Sequence, residues 1–122
     1  MKKVIFFVFI FVSLLTFNSC EKKQVRINRD LLTSHSWNSP ELIKNNYGAN
    51  SLCTPMFFHS NGTVEICSAI AQNWELINSG ETILKGEHEL DIIELNDHIL
   101  HIEDYYYKDS DRVFGMEVIY HK

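Results

Sequence analysis

The chain is 122 residues long, 45% hydrophobic and 12% aromatic, with five glycines, two prolines and three cysteines. That length accommodates one domain with a modest core, not two. With 11 basic and 16 acidic residues the formal net charge is −5, which argues against nucleic acid or an anionic lipid surface as the main partner, because both demand a basic footprint.

Lys2 and Lys3 precede an apolar run from Val4 to Phe17, interrupted only by Ser13 and Thr16, that ends in Asn18-Ser19-Cys20. This is the layout of a secretory signal peptide. The run is too short for a permanent span, which needs roughly 20 apolar residues, and the polar Glu21-Lys22-Lys23 follows at once. The segment Thr16-Phe17-Asn18-Ser19-Cys20 resembles the lipobox of bacterial lipoproteins, in which a small residue precedes the cysteine that becomes lipidated; Phe17 stands where leucine is usual. The resemblance implies mature numbering from Cys20, with a diacylglycerol thioether and an N-acyl chain on that residue. Two or more chains, at about 0.8 kcal/mol per buried methylene, hold a protein stably on a membrane. An ordinary secretory signal with an incidental cysteine is the alternative.

Once residues 1–19 are removed, the mature chain carries 9 bases against 16 acids, a net −7. All of the excess lies from Glu81 to Lys122, where eleven acids face four bases. A solvated, solubilising surface explains this simply, and a docking face for a cationic partner is the alternative. Residues 20–30 read as a lipidated tether of polar and charged residues, able to reach about 35 Å. Residues 31–122 then form the domain. Asp30 is placed to N-cap a single helical turn through Thr33.

From Trp37 onward the hydrophobic pattern has period two, which predicts strands over roughly 36–44, 55–59, 63–69, 73–78, 82–87, 90–95, 98–107 and 112–121. Asn61-Gly62 is the clearest turn signal, since such a step readily supplies the positive φ angles of a tight hairpin. Asn78-Ser79-Gly80, Asn96-Asp97 and Lys108-Asp109-Ser110-Asp111 mark further turns. If Asn96-Asp97 alone makes its turn, Ile93 faces Leu100 as a core pair. In the last strand Phe114, Met116, Val118 and Tyr120 form the core face.

Eight antiparallel strands on short turns most simply close into a small up-and-down barrel, which removes exposed edges. An open β-sandwich is the alternative. Cys53 and Cys67, an even pair in an exported protein, are better read as a disulfide than as free thiols. Their loop of about 15 residues corresponds to roughly 3 kcal/mol of stabilisation. A two-residue turn at Asn61-Gly62 would set Cys53 opposite Ile70, so the bridge requires a bulge or a loop before Pro55.

The succession Leu31-Leu32 to Trp37, then Phe58-His59-Ser60-Asn61-Gly62-Thr63, Trp74-Glu75-Leu76, and Ile92-Ile93-Glu94-Leu95 with Leu100-His101-Ile102 resembles the lipocalin-like domains of small bacterial envelope lipoproteins. In that family the hairpin carries Asp more often than the Asn61 found here. The resemblance spans nearly all of the mature chain. It implies a β-barrel with a ligand cavity, and no shared catalytic set.

Candidate chemistry is thin. His98 and His101 are an odd number apart in one strand and point to opposite faces, and none of the six histidines shares a recognised ligand spacing with a cysteine, so no metal is expected. Glu87, Glu89, Asp91, Glu103 and Asp104 are read as wet strand faces rather than as a glycosidase-like acid and base. Ser34-His35 and Ser68 lack a nucleophile-elbow context, and no glycine-rich phosphate loop is present. No cofactor and no catalytic residue is therefore assigned.

Two functions remain. The first is an envelope-anchored lipoprotein binding a small apolar ligand in a barrel lined by Phe58, Trp74, Leu100, Met116 and Val118. The second is a protein-interaction lipoprotein, an inhibitor or accessory subunit of an envelope complex, that uses the acidic face and Tyr105, Tyr106 and Tyr107; neighbours in a strand alternate, so at least one of these tyrosines faces outward. The expected partners are thus a membrane, through lipid on Cys20, and either the ligand or an envelope protein. The expected place is the outer membrane, facing the periplasm.

Overall fold

In the computed structural model, residues 22–48 and 52–122 are described; the leader, Cys20 and its lipidation lie outside them. The period-two pattern becomes eight strands: β1 (Asn38–Asn45), β2 (Met56–Phe58), β3 (Thr63–Ile66), β4 (Ala69–Ile77), β5 (Thr82–Lys85), β6 (His88–Leu95), β7 (Ile99–Lys108) and β8 (Asp111–His121). They form one antiparallel sheet in the order β1-β8-β7-β6-β5-β4-β3-β2, curled through 240° into an open half-barrel.

The closed barrel is therefore corrected to an open one, and the sandwich alternative to a single curled sheet. Closure would need a ladder between β1 and β2, and among the described residues only one pair bridges them. Trp37 N donates to Met56 O at 2.7 Å and Met56 N to Trp37 O at 3.0 Å. Both prolines of the chain sit at this seam, Pro40 inside β1 and Pro55 just before β2. Proline has no N–H to give to a ladder, so it confines a strand to an edge.

Residues 22–33 are helical (α1), so the helical turn expected from Asp30 is the end of a longer helix. Lys, Gln and Arg in its first turns are good helix formers, and Val25, Asn28 and Leu32 fall on one face at spacings of three and four. Leu32 is fully buried in the core, and the Asn28 amide donates to Gly80 O at 2.8 Å. Trp37 Nε1 donates to Leu32 O at 3.2 Å, and the His35 Nε2 atom lies 3.1 Å from Asp97 O. The helix thus docks where the β4–β5 and β6–β7 loops lie. Gly80 permits the approach: its φ is +86°, and a Cβ there would come 3.1 Å from the Val25 Cα atom.

The Asn61 hairpin is a three-residue loop rather than a two-residue one. His59 N donates to Thr63 O and Gly62 N to His59 O, and only Gly62 takes a positive φ, 91°. Asn61 Oδ1 accepts from Thr63 N and Thr63 Oγ1. The β2–β3 register that follows pairs Met56 with Ile66 without a break and lets Cys67 N donate to Pro55 O at 2.9 Å; Cys53 and Cys67, at a Cα separation of 5.6 Å, are joined by a disulfide. Cys67 and Ser68, at φ 55° and 65°, form the two-residue turn between β3 and β4, the geometry of a type I′ hairpin.

The β6–β7 loop is also longer than expected. Asn96 Oδ1 accepts from His98 N and Ile99 N, so Leu95 faces Leu100. Ile93 falls at a bulge between Ile92 and Glu94 and is 51% exposed, which removes the expected Ile93–Leu100 core pair. In β8, Met116, Val118 and Tyr120 are buried as expected, but a bulge leaves Gly115 without a partner on β7. That extra residue turns Phe114 outward against Tyr105, with ring centroids 5.6 Å apart.

Candidate functional site

The core is packed by Leu32, Trp37, Phe58, Val64, Ile83, Leu90, Leu100, Ile102 and Val118, each at most 1% exposed. Of the five residues expected to line a ligand cavity, Phe58, Leu100 and Val118 lie inside this solid centre. The other two reach concave surfaces. Trp74, whose Nε1 donates to His59 O at 2.8 Å, borders an open pocket of about 450 Å³ with Gln72 and Leu84. Met116 floors a pocket of about 240 Å³ at the end of the half-barrel where β1 finishes.

That second pocket holds a polar cluster the sequence reading did not single out. Alternation along β7 carries Leu100, Ile102, Asp104 and Tyr106 to the inner face, and Asp104 is 3% exposed, not the wet carboxylate expected. Tyr47 Oη donates to Asp104 Oδ1 at 2.9 Å. His88 Nδ1 lies 2.8 Å from the same oxygen and 3.2 Å from Tyr47 Oη. A histidine nitrogen held against a carboxylate carries the proton there, which leaves Nε2 as the second hydrogen-bonding atom of the ring. Leu42, Leu52 and Met116 supply apolar walls. The Tyr106 ring packs 5.4 Å from that of Tyr47, centroid to centroid. It closes one side of an adjoining opening of about 480 Å³, edged by Glu87 and Tyr107.

Gly115 makes the arrangement possible. A Cβ at that position would overlap the Tyr47 ring. Removal from water, reinforced by the hydrogen bond to Asp104, pushes the Tyr47 phenol up. Burial, together with the Asp104 charge, does the same to Tyr120. Lys85 lies opposite His88 in the β5–β6 register; burial pushes its ammonium down, and the Asp104 carboxylate acts in the opposite sense.

The three consecutive tyrosines separate by face. Tyr106 turns to the mouth, whereas Tyr105 and Tyr107 lie outside. Tyr105 donates to Glu103 at 2.6 Å and Tyr107 to Glu89 at 3.0 Å. Arg112 covers the Tyr105 ring at 3.8 Å and pairs with Glu89 and Asp91. This outer network satisfies its own polar atoms. The remaining histidines are spread across the surface: His101 pairs with Glu117, His121 with Glu41 and His59 with Glu65. Among the described residues no three His, Cys, Asp or Glu side chains converge on a metal site, and no helix is long and apolar enough to cross a membrane.

The signal for Asp104 was present in the alternation of β7. The signal for Tyr47 was not, because it reaches the cluster from beyond the end of β1 and stands 57 residues from Asp104. No protein-family model, curated protein or solved structure matches the chain significantly. The chain is an all-antiparallel, curled eight-stranded half-barrel with no family identified.

Proposed function

We propose that the protein is a lipid-anchored binding module of the cell envelope, tethered through Cys20 and related to lipocalin-like lipoproteins, that takes a small ligand with an apolar body at the open mouth of its half-barrel. The observation that carries the reading is the pocket of about 240 Å³ in which apolar Leu42, Leu52 and Met116 meet the buried Asp104 and its more exposed partners His88 and Tyr47. Small-molecule sites have this character: largely apolar walls with a few convergent polar groups. Because the centre is filled by Phe58, Leu100 and Val118, the ligand sits at the mouth, with Met116 beneath it.

Native mass spectrometry of the full chain extracted from its own envelope tests the ligand. A bound small molecule that is lost in Met116→Trp, which fills the floor, supports the reading. A second reading, protein docking, draws on Tyr107, 51% exposed beside the Arg112 network. A stoichiometric protein partner released by Tyr107→Ala, with no small molecule bound, would favour it instead.

The anchor has its own test. Cys20→Ala is expected to abolish acyl labelling and move the protein from the membrane to the soluble fraction. Unchanged fractionation of that variant would refute the lipid anchor.

A further inference from the structure

The mouth selects for charge as well as shape. Asp104 is almost wholly buried yet borders the pocket, and its Oδ1 atom takes hydrogen bonds from a phenol and an imidazole. Among the described residues no lysine or arginine forms an ion pair with it. Holding a carboxylate out of water without a full counter-charge is costly, and a cation that enters relieves that cost. Lys85 shares the inner face but forms no ion pair with Asp104 within 4 Å; burial pushes its ammonium down and the Asp104 charge acts in the opposite sense.

The walls favour a cation as well. The Tyr47, His88 and Tyr106 rings meet pairwise at centroid separations of 5.4, 6.0 and 6.5 Å, so they form one continuous aromatic surface beside the carboxylate. Tyrosine faces carry negative electrostatic potential and attract ammonium groups within about 6 Å. Glu87 adds a second carboxylate at the outer opening, which repels anions. The interior supplies shape through Leu42, Leu52 and Met116.

We infer that the half-barrel mouth binds an organic cation: a primary or methylated ammonium on a short apolar or aromatic body, its nitrogen against Asp104 and the Tyr47–Tyr106 surface. This deepens the ligand-binding reading and rests on it. The ammonium forms a charge-assisted hydrogen bond to the carboxylate, and the body covers Met116. A neutral analogue loses the ion pair, and an anionic one meets Asp104 and Glu87.

The test uses the ¹⁵N-labelled full chain in detergent micelles at pH 8, with empty micelles as the blank. It is titrated with 2-phenylethylammonium, 2-phenylethanol and phenylacetate. The expected result is binding of the ammonium about tenfold tighter than the alcohol, one interaction worth roughly 1.4 kcal/mol, with no binding of phenylacetate and amide shifts centred on Asp104 and Gly115. Asp104→Asn brings the ammonium and the alcohol to within about twofold. Gly115→Ala, which displaces the Tyr47 ring, weakens both. Should Asp104→Asn fail to fold, Glu87→Gln at the exposed rim is read in its place, with an expected threefold loss for the ammonium alone. Equal binding of ammonium and alcohol at the mouth, or a preference that survives these carboxylate substitutions, overturns the cation assignment and leaves ligand binding standing. If none of the three compounds moves the mouth amides, both fall.

Discussion

Gly115 and Tyr47 show how one missing side chain organises the mouth. The β8 bulge leaves Gly115 without a partner on β7, and the Tyr47 ring occupies the place a Cβ would take. Tyr47 then reaches Asp104, and Asp104 in turn influences Tyr120 and Lys85. These linkages have a pH signature. The folded-state value of Tyr120 is raised by burial, whereas a tyrosine in the unfolded chain ionises near about 10. Above that point the folded chain keeps a proton that the unfolded chain loses, so this contribution to stability is fully present below about pH 10 and is lost as the pH climbs. Tyr47 acts in the same sense, through burial first and the Asp104 hydrogen bond second. Lys85 acts oppositely: its lowered value costs stability at lower pH, and the cost fades as the pH approaches about 10.4, where free lysine titrates. Urea midpoints between pH 9 and 11 are expected to fall, and Tyr120→Phe is expected to make the fall shallower. Parallel curves for that variant and the wild type would refute the linkage.

At the scale of elements, the instructive case is α1. Its charged sequence reads as tether because only Val25, Leu31 and Leu32 in it offer an apolar stripe beyond the exposed Ile27. The residue that completes the docking face is polar Asn28, which fits only because a carbonyl at Gly80, 52 residues away, accepts its hydrogen bond. Leu32→Ala is expected to cost about 2–5 kcal/mol by leaving a cavity in the core, and Asn28→Ala about 1 kcal/mol through the unpaired Gly80 carbonyl. Chemical denaturation of the two variants measures both. A change below about 0.5 kcal/mol for Leu32→Ala would mean that the helix contributes nothing to the fold. Strand existence was legible throughout, since alternation identifies a pleated face without regard to its partner. Register was not: the loops at Asn61 and Asn96 each differ from the two-residue turn expected, because an Asx side chain can gather two downstream donors and enlarge the turn.

For the whole molecule, the open seam and the disulfide belong together. The sheet has two free ends, held by one Trp37–Met56 pair, and the Cys53–Cys67 bridge ties the segment before β2 to the end of β3. Reducing that bridge between cysteines 14 positions apart is expected to lower stability by about 3 kcal/mol in the chain-entropy account. Unfolding curves with and without reductant, compared with a Cys53→Ala/Cys67→Ala variant, check this; coincident curves would show that the bridge does not hold the edge. By itself the sequence determined the strand count, the antiparallel class, most of the core face of β8 and the pairing of the two cysteines, because period-two burial is a local property and two cysteines within one domain allow a single pairing. The opening of the barrel was not read from it: Pro40 inside β1 and Pro55 just before β2 mark a seam only once those two segments are seen to be the ones that would have to meet. Only the tertiary structure decided the mouth. Tyr47, His88, Asp104 and Gly115 come from four separate segments, and the burial that turns an ordinary aspartate into a selective group exists only after the sheet has curled around it.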